Sequence, residues 1–312
     1  MTSNMTNDIF DEIIELPDPK RQHQFTELIG LDSVKEFLLK EGKLLLYPDL
    51  LDEWSKKHHG KILPAVKKLR DSPPLILFYG DVGTGKTTLA ESFGDPIARE
   101  YNISVRVAKL SLKARGSGAV GEMTKLITRA FEDIEQLAHK EHQTDKKVRS
   151  AAILIIDEAD ALAQSREFDQ MHHEDRAGVN ALIRGIDKVA SKHLPILVVI
   201  CTNRVEAIDP AVMRRASIQF SFERPNAEQR FEALQTAFDG VFDQNGLKKL
   251  AELTGPNEER QYGYTYSDLT QRLIPSVILK AFPDGPITFE NAKKLSQDIL
   301  PTRPFNHETK KL

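Results

Sequence analysis

The segment Gly80-Asp81-Val82-Gly83-Thr84-Gly85-Lys86-Thr87 matches GxxxxGK[ST] and lies between a continuous apolar run, Leu75 to Tyr79, and a stretch that reads as a helix beginning at Thr87. A strand, a glycine-rich loop and a helix start in that order make a phosphate cradle. Glycines let consecutive backbone N–H groups curl around phosphate oxygens, and the helix start adds positive dipole. Lys86 is placed to reach the β- and γ-phosphates, with the Thr87 hydroxyl as a Mg²⁺ ligand and Thr88 directly behind it in the helix.

A second apolar run, Ile153 to Ile156, ends in Asp157-Glu158. Phosphoryl transfer to water needs one carboxylate facing the metal and one facing the water. Asp157 is expected in the first role and Glu158 in the second. The string Asp157-Glu158-Ala159-Asp160 also spells the DEAD of one helicase class, which nothing else in the chain supports. A third run ends Cys201-Thr202-Asn203-Arg204, delivering Asn203 to the same sheet edge, where its amide can touch a γ-phosphate and the attacking water. Farther on, Arg214 and Arg215 close a short helical turn. Either guanidinium could stabilise transition-state charge in a neighbouring subunit, an effect worth about 10³ to 10⁵ in rate, or the pair could be a solvated basic face.

These groups need a scaffold that brings strand ends together. Strands at Leu75–Tyr79, Ile103–Ala108, Ile153–Ile156, Ile196–Cys201 and Ile218–Phe222 alternate with helices at 121–139, 176–190 and 87–101, the last with an irregularity at Gly94 and Pro96, which predicts an α/β domain with a parallel sheet flanked by helices. Past Pro225 the strands stop. Helices capped at Asn226, Asp243 and Thr288, with another running from Thr265 to Phe282, predict a small α-helical lid. Ahead of the sheet, Asp32 begins a helix carrying Val34, Phe37 and Leu38, and a lysine-rich helix runs from Leu50 to Leu69. The cluster Ile9, Phe10, Ile13 and Ile14 reads as a short helix in an acidic tether. The expected organisation is a tether over 1–24, a large ATPase domain over 25–224, the lid over 225–300 and a tail over 301–312.

Of 312 residues, 43 are Lys or Arg and 46 Asp or Glu, a net charge of −3, so no overall basic field exists to hold a polyanion. The single cysteine, Cys201, cannot form an intrachain disulfide, the first residues lack the cationic and apolar regions of a secretory signal, and no apolar run approaches bilayer length. A reducing, cytoplasmic setting is expected, with no membrane. The adjacent pairs His58-His59 and His172-His173 lack further ligands at zinc spacing and read as solvent-facing. Lys56, Lys57, Lys61, Lys67 and Lys68, with Trp54 beside them, read as a solvated helix face rather than a DNA surface.

Taken together, the span from Phe25 to about Leu300 resembles an AAA+ P-loop ATPase. That resemblance implies ATP and Mg²⁺ as cofactors, an adenine-contacting turn at Leu28-Ile29-Gly30, Asn203 as a sensor and a ring, usually a homo-hexamer, with ATP between protomers. Ser111-Leu112, Gly121-Glu122, Lys125-Leu126-Ile127-Thr128-Arg129 and Arg215-Ala216-Ser217-Ile218 are similar to the pachytene-checkpoint type of HORMA-domain remodellers. It implies that Arg215 is the finger, with Arg214 the fallback, and that the substrate is a HORMA-domain protein. The short bacterial branch implies that this partner is bound to a nucleotidyltransferase making cyclic oligonucleotides in anti-phage defence, which the ATPase switches off.

Three departures from the family pattern stand out. Ala119 and Val120 occupy the place of the aromatic grip in the pore loop. Ser267 stands where the remodellers have a sensor arginine, with Arg272 one turn on. About two dozen residues replace the eukaryotic N-terminal domain, so a separate adaptor domain is not expected. The alternative function is an AAA+ ATPase acting on DNA or loading a nucleic-acid-associated protein, and a further one is a scaffold that binds ATP without turnover.

Overall fold

Residues 150–156 and 196–202 are buried at every position, as strands covered on both faces must be, and they form the centre of a six-stranded sheet. The computed structural model describes residues 9–111, 121–139, 148, 150–161, 173–258 and 260–305. In chain order the strands are β1 (Phe10–Leu16), β2 (Leu75–Gly80), β3 (Ser104–Leu110), β4 (Ser150–Ile156), β5 (Ile196–Thr202) and β6 (Ile218–Phe222). They lie side by side in the order β1-β3-β4-β5-β2-β6. The pairs β3–β4, β4–β5 and β2–β5 are parallel, as the alternation of strands and helices predicts.

Contacts divide the chain into two units. The larger comprises Met1–Glu27, Asp32–Tyr79 and Thr87–Phe220, and the smaller Leu28–Leu31, Gly80–Lys86 and Ser221–Leu312.

In the larger unit the core lies between the sheet and the helices Glu122–His139 and His173–Lys192. Leu126, Ile127, Phe131 and Ile134 from the first meet Val179, Leu182, Ile186 and Val189 from the second. Gly185 permits their close approach, because a Cβ there would run into the Phe131 ring. Glu135 pins the two helices with ion pairs to Lys188 (2.9 Å) and Lys192 (2.7 Å).

Three local expectations are corrected. Residues 10–16 are not a helix but the edge strand β1, antiparallel to β3, with Ile13 opposite Ala108 and Leu16 opposite Val105. Its burial alternates, with Phe10, Ile14 and Leu16 inward. The lysine-rich stretch is two helices, Asp49–His59 and Pro64–Arg70. Gly60, left-handed at φ 68°, ends the first, and Pro64 opens the second. Residues 87–101 divide into Lys86–Ser92 and Gly94–Tyr101, at the irregularity expected around Gly94. The segment after Thr265 begins as a π-helical turn, Asp268–Leu273, and becomes α-helical at Ile274–Ala281. Pro275 has no N–H to continue the ladder, and the wider turn makes room for its ring.

In the smaller unit, helices Ala227–Ala237, Gln244–Leu253 and Phe289–Asp298 start at caps made by Asn226, Asp243 and Thr288. Asn226 and Gln229 form a reciprocal capping box. These helices enclose a core around Leu234, Phe238, Leu250, Leu269 and Leu273. Tyr264 is completely buried among them, and its hydroxyl donates to the Ile299 carbonyl at 2.5 Å, with the Ser296 carbonyl also in reach at 3.0 Å.

Candidate active site

Parallel register brings the carboxyl ends of the central strands to one edge of the larger unit. Tyr79 at the end of β2 lies opposite Thr202 at the end of β5, and Ile156 of β4 lies opposite Ile200. Asp157 and Asn203 therefore leave neighbouring strands at the same edge, and Thr87 sits in the helix Lys86–Ser92 that follows the loop after β2. The Thr87 hydroxyl donates to Asp157 Oδ2 at 3.0 Å, bringing together two residues separated by 70 positions.

Asp157 Oδ1 accepts the Glu158 backbone N–H at 3.0 Å. Glu158 has φ 50° and an exposed side chain. A left-handed conformation is costly for a residue with a β-carbon, and such strain collects at functional sites. Here it turns Glu158 away from the strand direction immediately after the apolar run. Asp160 accepts the Thr202 hydroxyl at 3.1 Å, and Thr202 Oγ1 in turn accepts the Arg204 N–H at 3.0 Å. The last letter of the DEAD string thus ties the end of β5 to the turn after β4.

In the smaller unit the loop Gly80–Lys86 is folded tightly on itself. Gly83 and Gly85 have φ of 72° and 96°, where a side chain is strained. The Lys86 ammonium, 6% exposed, donates to the carbonyls of Gly80 (3.0 Å) and Asp81 (2.6 Å). Val82 N–H donates to Asp81 Oδ1 at 2.8 Å, and the Thr84 hydroxyl to the Asp81 carbonyl at 2.8 Å. Thr88 is partly buried two positions after Lys86. The turn at Ile29 and Gly30 belongs to the same unit: Ile29 packs on the lid core, and a Cβ on Gly30 would strike Gln229.

Ser267 meets this loop through its backbone, with its N–H donating to the Gly83 carbonyl at 3.1 Å. Arg272 is held within the lid by Asp268 Oδ1 (2.8 Å) and the Leu300 carbonyl (2.9 Å). Arg224 was not singled out from the sequence. Its Nε donates to Asp81 Oδ2 at 2.6 Å, its Nη1 donates to the Gly263 carbonyl at 2.6 Å, and its guanidinium lies over the Tyr262 ring. The available signal was an arginine just before the Pro225 that ends the strand pattern.

Of the two candidate fingers, Arg214 is exposed and Arg215 is held. Arg215 makes a forked pair with Asp187 on helix His173–Lys192, at 2.7 and 2.9 Å, and donates to the Ala211 carbonyl at 2.9 Å. The Asp187 hydrogen bond raises the Arg215 pKa above its ordinary value.

Lys109, on β3, is a second residue missed in the sequence. It reaches Asp157 Oδ2 at 2.9 Å and Glu91 Oε1 at 3.6 Å. Burial opposes its charge, and the two carboxylates overcome that, so it titrates above the ordinary lysine value. The pore-loop positions Ala119 and Val120, and His172, lie outside the described residues, as does the side chain of His173. His58 and His59 are exposed and pack on Trp54, and the five lysines around them are exposed.

Among the described residues no cluster of three or more His, Cys, Asp or Glu could hold a metal by itself. The Thr87 hydroxyl and Asp157 carboxylate supply oxygen donors alone. That set fits a hard divalent cation that takes phosphate oxygens and water for the rest of its shell.

A glycine-rich loop matching GxxxxGK[ST], a carboxylate pair at the end of a central strand and a helical segment after the sheet are the features expected of an ATPase of the AAA class. The description "ATPase family associated with various cellular activities (AAA)" matches residues 76–224. CD-NTase-associated protein 6 of Escherichia coli strain MS 115-1 is 46% identical over 300 residues, covering 96% of each chain. The chain belongs to this family of AAA ATPases and is an ATP-hydrolysing enzyme. A chain of the solved E. coli MS115-1 HORMA:CdnC:Trip13 complex superposes with a TM-score of 0.91 at 45% identity, covering 96% of this chain and 99% of that one. The solved Rhizobiales Trip13 gives a TM-score of 0.74 at 40% identity, covering 95% of this chain and 100% of that one. No helix among the described residues is long and apolar enough to cross a membrane.

Proposed function

We propose that this protein is an ATP-driven ring remodeller that opens or disassembles a HORMA-domain protein bound to its nucleotidyltransferase, and so switches off anti-phage signalling. The observation that carries this reading is the 45% identity, across 96% of this chain, to a chain of the HORMA:CdnC:Trip13 complex. The same reading takes the ring as a cytoplasmic homo-hexamer, with residues 25–224 as the large ATPase domain and 225–300 as the lid.

In the proposed mechanism Gly80–Lys86 cradles the ATP phosphates through backbone N–H groups, Lys86 turns its ammonium from its own loop carbonyls to the β/γ-oxygens, and Ile29 and Gly30 line the adenine. Mg²⁺, when bound, would supply positive charge to neutralise the phosphates. Thr87 and Asp157 would hold it. Glu158 takes a proton from the attacking water while the Asn203 amide orients that water against the γ-phosphate. Arg215 leaves Asp187 to stabilise the transition state in the neighbouring protomer, and Arg214, exposed beside it, is the alternative donor.

The test uses a purified HORMA–nucleotidyltransferase complex. Wild-type protein with ATP is expected to separate the two on gel filtration, and Lys86→Ala is expected to leave them together. Glu158→Gln, loaded with ATP, is expected to retain the HORMA protein. Full separation by either variant, or retention of DNA in place of the HORMA protein, overturns the reading.

A further inference from the structure

Lys109 interrupts a strand whose preceding alternate residues, Val105 and Val107, are buried. A charge in such a place is costly unless it is paired. The parallel register sets Lys109 opposite Ile155, two residues before Asp157, so its side chain reaches the end of the adjoining strand. There it contacts Asp157 Oδ2, the oxygen that also accepts the Thr87 hydroxyl. Its other partner, Glu91, is fixed on the far side, because Arg21 Nη1 donates to Glu91 Oε2 at 2.6 Å. Arg21 is itself 6% exposed and pairs through Nη2 with Glu12 of β1 at 3.2 Å. A continuous chain of alternating charge, Glu12–Arg21–Glu91–Lys109–Asp157, therefore runs from the edge strand to the carboxylate.

We infer that Lys109 is a positioning residue of the ATPase site: its ammonium orients the Asp157 carboxylate and competes with a divalent cation for the charge on it, while Glu91, held by Arg21, draws part of that ammonium away. The inference rests on the reading of Thr87 and Asp157 as the metal-facing pair. Two opposite effects follow from Coulomb attraction between close charges of low exposure. Removing the ammonium leaves the carboxylate more attractive to a dication but poorly oriented. Neutralising Glu91 commits the ammonium to Asp157 and weakens cation binding.

The experiment is a Mn²⁺ titration of the full chain with ADP, followed by the electron paramagnetic resonance of free Mn²⁺. Lys109→Met is expected to lower the Mn²⁺ Kd about three- to tenfold while ATPase kcat falls at least about tenfold. Lys109→Arg is expected to restore the wild-type Mn²⁺ Kd. Glu91→Gln is expected to raise the Kd about two- to threefold, a change opposite in sign to that of Lys109→Met. If Lys109→Met fails to fold, the Glu91→Gln result decides. An unchanged or weaker Mn²⁺ affinity in Lys109→Met, or an unchanged or tighter one in Glu91→Gln, overturns the inference. Asp157→Asn and Thr87→Ala separate the two levels of failure. If neither weakens Mn²⁺ binding, the metal-site reading itself falls, whereas if both do and the Lys109 and Glu91 variants behave like wild type, only the role of Lys109 is lost.

Discussion

Arg224 holds Asp81 by a 2.6 Å ion pair, so the second residue of the glycine-rich loop is tied to the residue just before Pro225 and the helix Ala227–Ala237. Both side chains are mostly buried, and the same guanidinium donates to the Gly263 carbonyl beyond the second lid helix. Asp81 in turn caps Val82 through its other oxygen, so the pair fixes the shape of the loop as well as its anchor.

Breaking that pair is expected to be expensive on one side only. Removing one partner of a buried pair costs about 3–5 kcal/mol, and partial exposure here brings the expectation to roughly 2–3 kcal/mol for Arg224→Ala. Thermal unfolding should show the loss, and titration with a fluorescent ADP should show weaker binding. A double-mutant cycle with Asp81→Ala is expected to give a coupling above about 1 kcal/mol; additivity would assign the Arg224 effect to other contacts.

Arg215→Ala is expected to reduce kcat about 10³-fold while leaving ADP affinity within about threefold, because the lost interaction belongs to the transition state. Mixing it with Glu158→Gln protomers, each inactive alone, is expected to restore turnover. Mixed interfaces in which the Arg215→Ala protomer provides Glu158 and its Glu158→Gln neighbour provides Arg215 then have both residues intact, while those of the opposite order have neither. Absence of rescue would show that Arg215 does not act between subunits.

Acid is expected to loosen the lid through Asp268. Burial pushes its carboxyl pKa up, but hydrogen bonds from Thr265 and Thr302 and from Arg272 outweigh this and hold it below the ordinary value of 3.8. A depressed carboxylate pKa contributes stability that is present above pH 3.8 and is lost as pH falls through the folded-state value. Asp268→Asn should lower Tm at neutral pH and flatten the acid limb of a Tm-against-pH curve. An equally steep limb in the variant would place the acid sensitivity elsewhere.

Tyr264 acts at the opposite end of the pH scale. Burial raises its pKa from 10.0 to about 12, so the folded state keeps a proton that the unfolded chain releases. Its contribution is complete below pH 10 and declines as pH rises toward 12. Tyr264→Phe, which also gives up the hydrogen bonding to the Ile299 and Ser296 carbonyls, is expected to lower Tm at pH 7 by removing about 1 kcal/mol, with a shallower decline at alkaline pH.

Gly185→Ala tests the helix packing against intrinsic propensity. Alanine is the better helix former by about 1 kcal/mol, yet its Cβ would enter the Phe131 ring. A net loss of about 1–3 kcal/mol in chemical denaturation is expected from overpacking. A stabilised variant would mean that the two helices can separate at little cost.

Features written in short stretches of chain were legible from the sequence. The glycine loop, the apolar runs ending in Asp157 and Thr202, the lid caps at Asn226, Asp243 and Thr288 and the helix Glu122–His139 all depend on local spacing, cap chemistry or side-chain period. The short cluster around Ile13 is compatible with either period. Four apolar residues fit a helix turn as well as a strand, and only pairing with β3 decides between them.

The sequence by itself determined which groups could do phosphate chemistry and that strand ends would present them, because those properties follow from residue type and from the order of strands and helices. Tertiary structure decided the company each group keeps: Lys109 on Asp157, Arg224 on Asp81 and Arg215 on Asp187. Those pairs join residues 28 to 143 positions apart. Charge-pair energy depends on distance and burial, and neither is set until sheet register and helix packing have brought the two elements together.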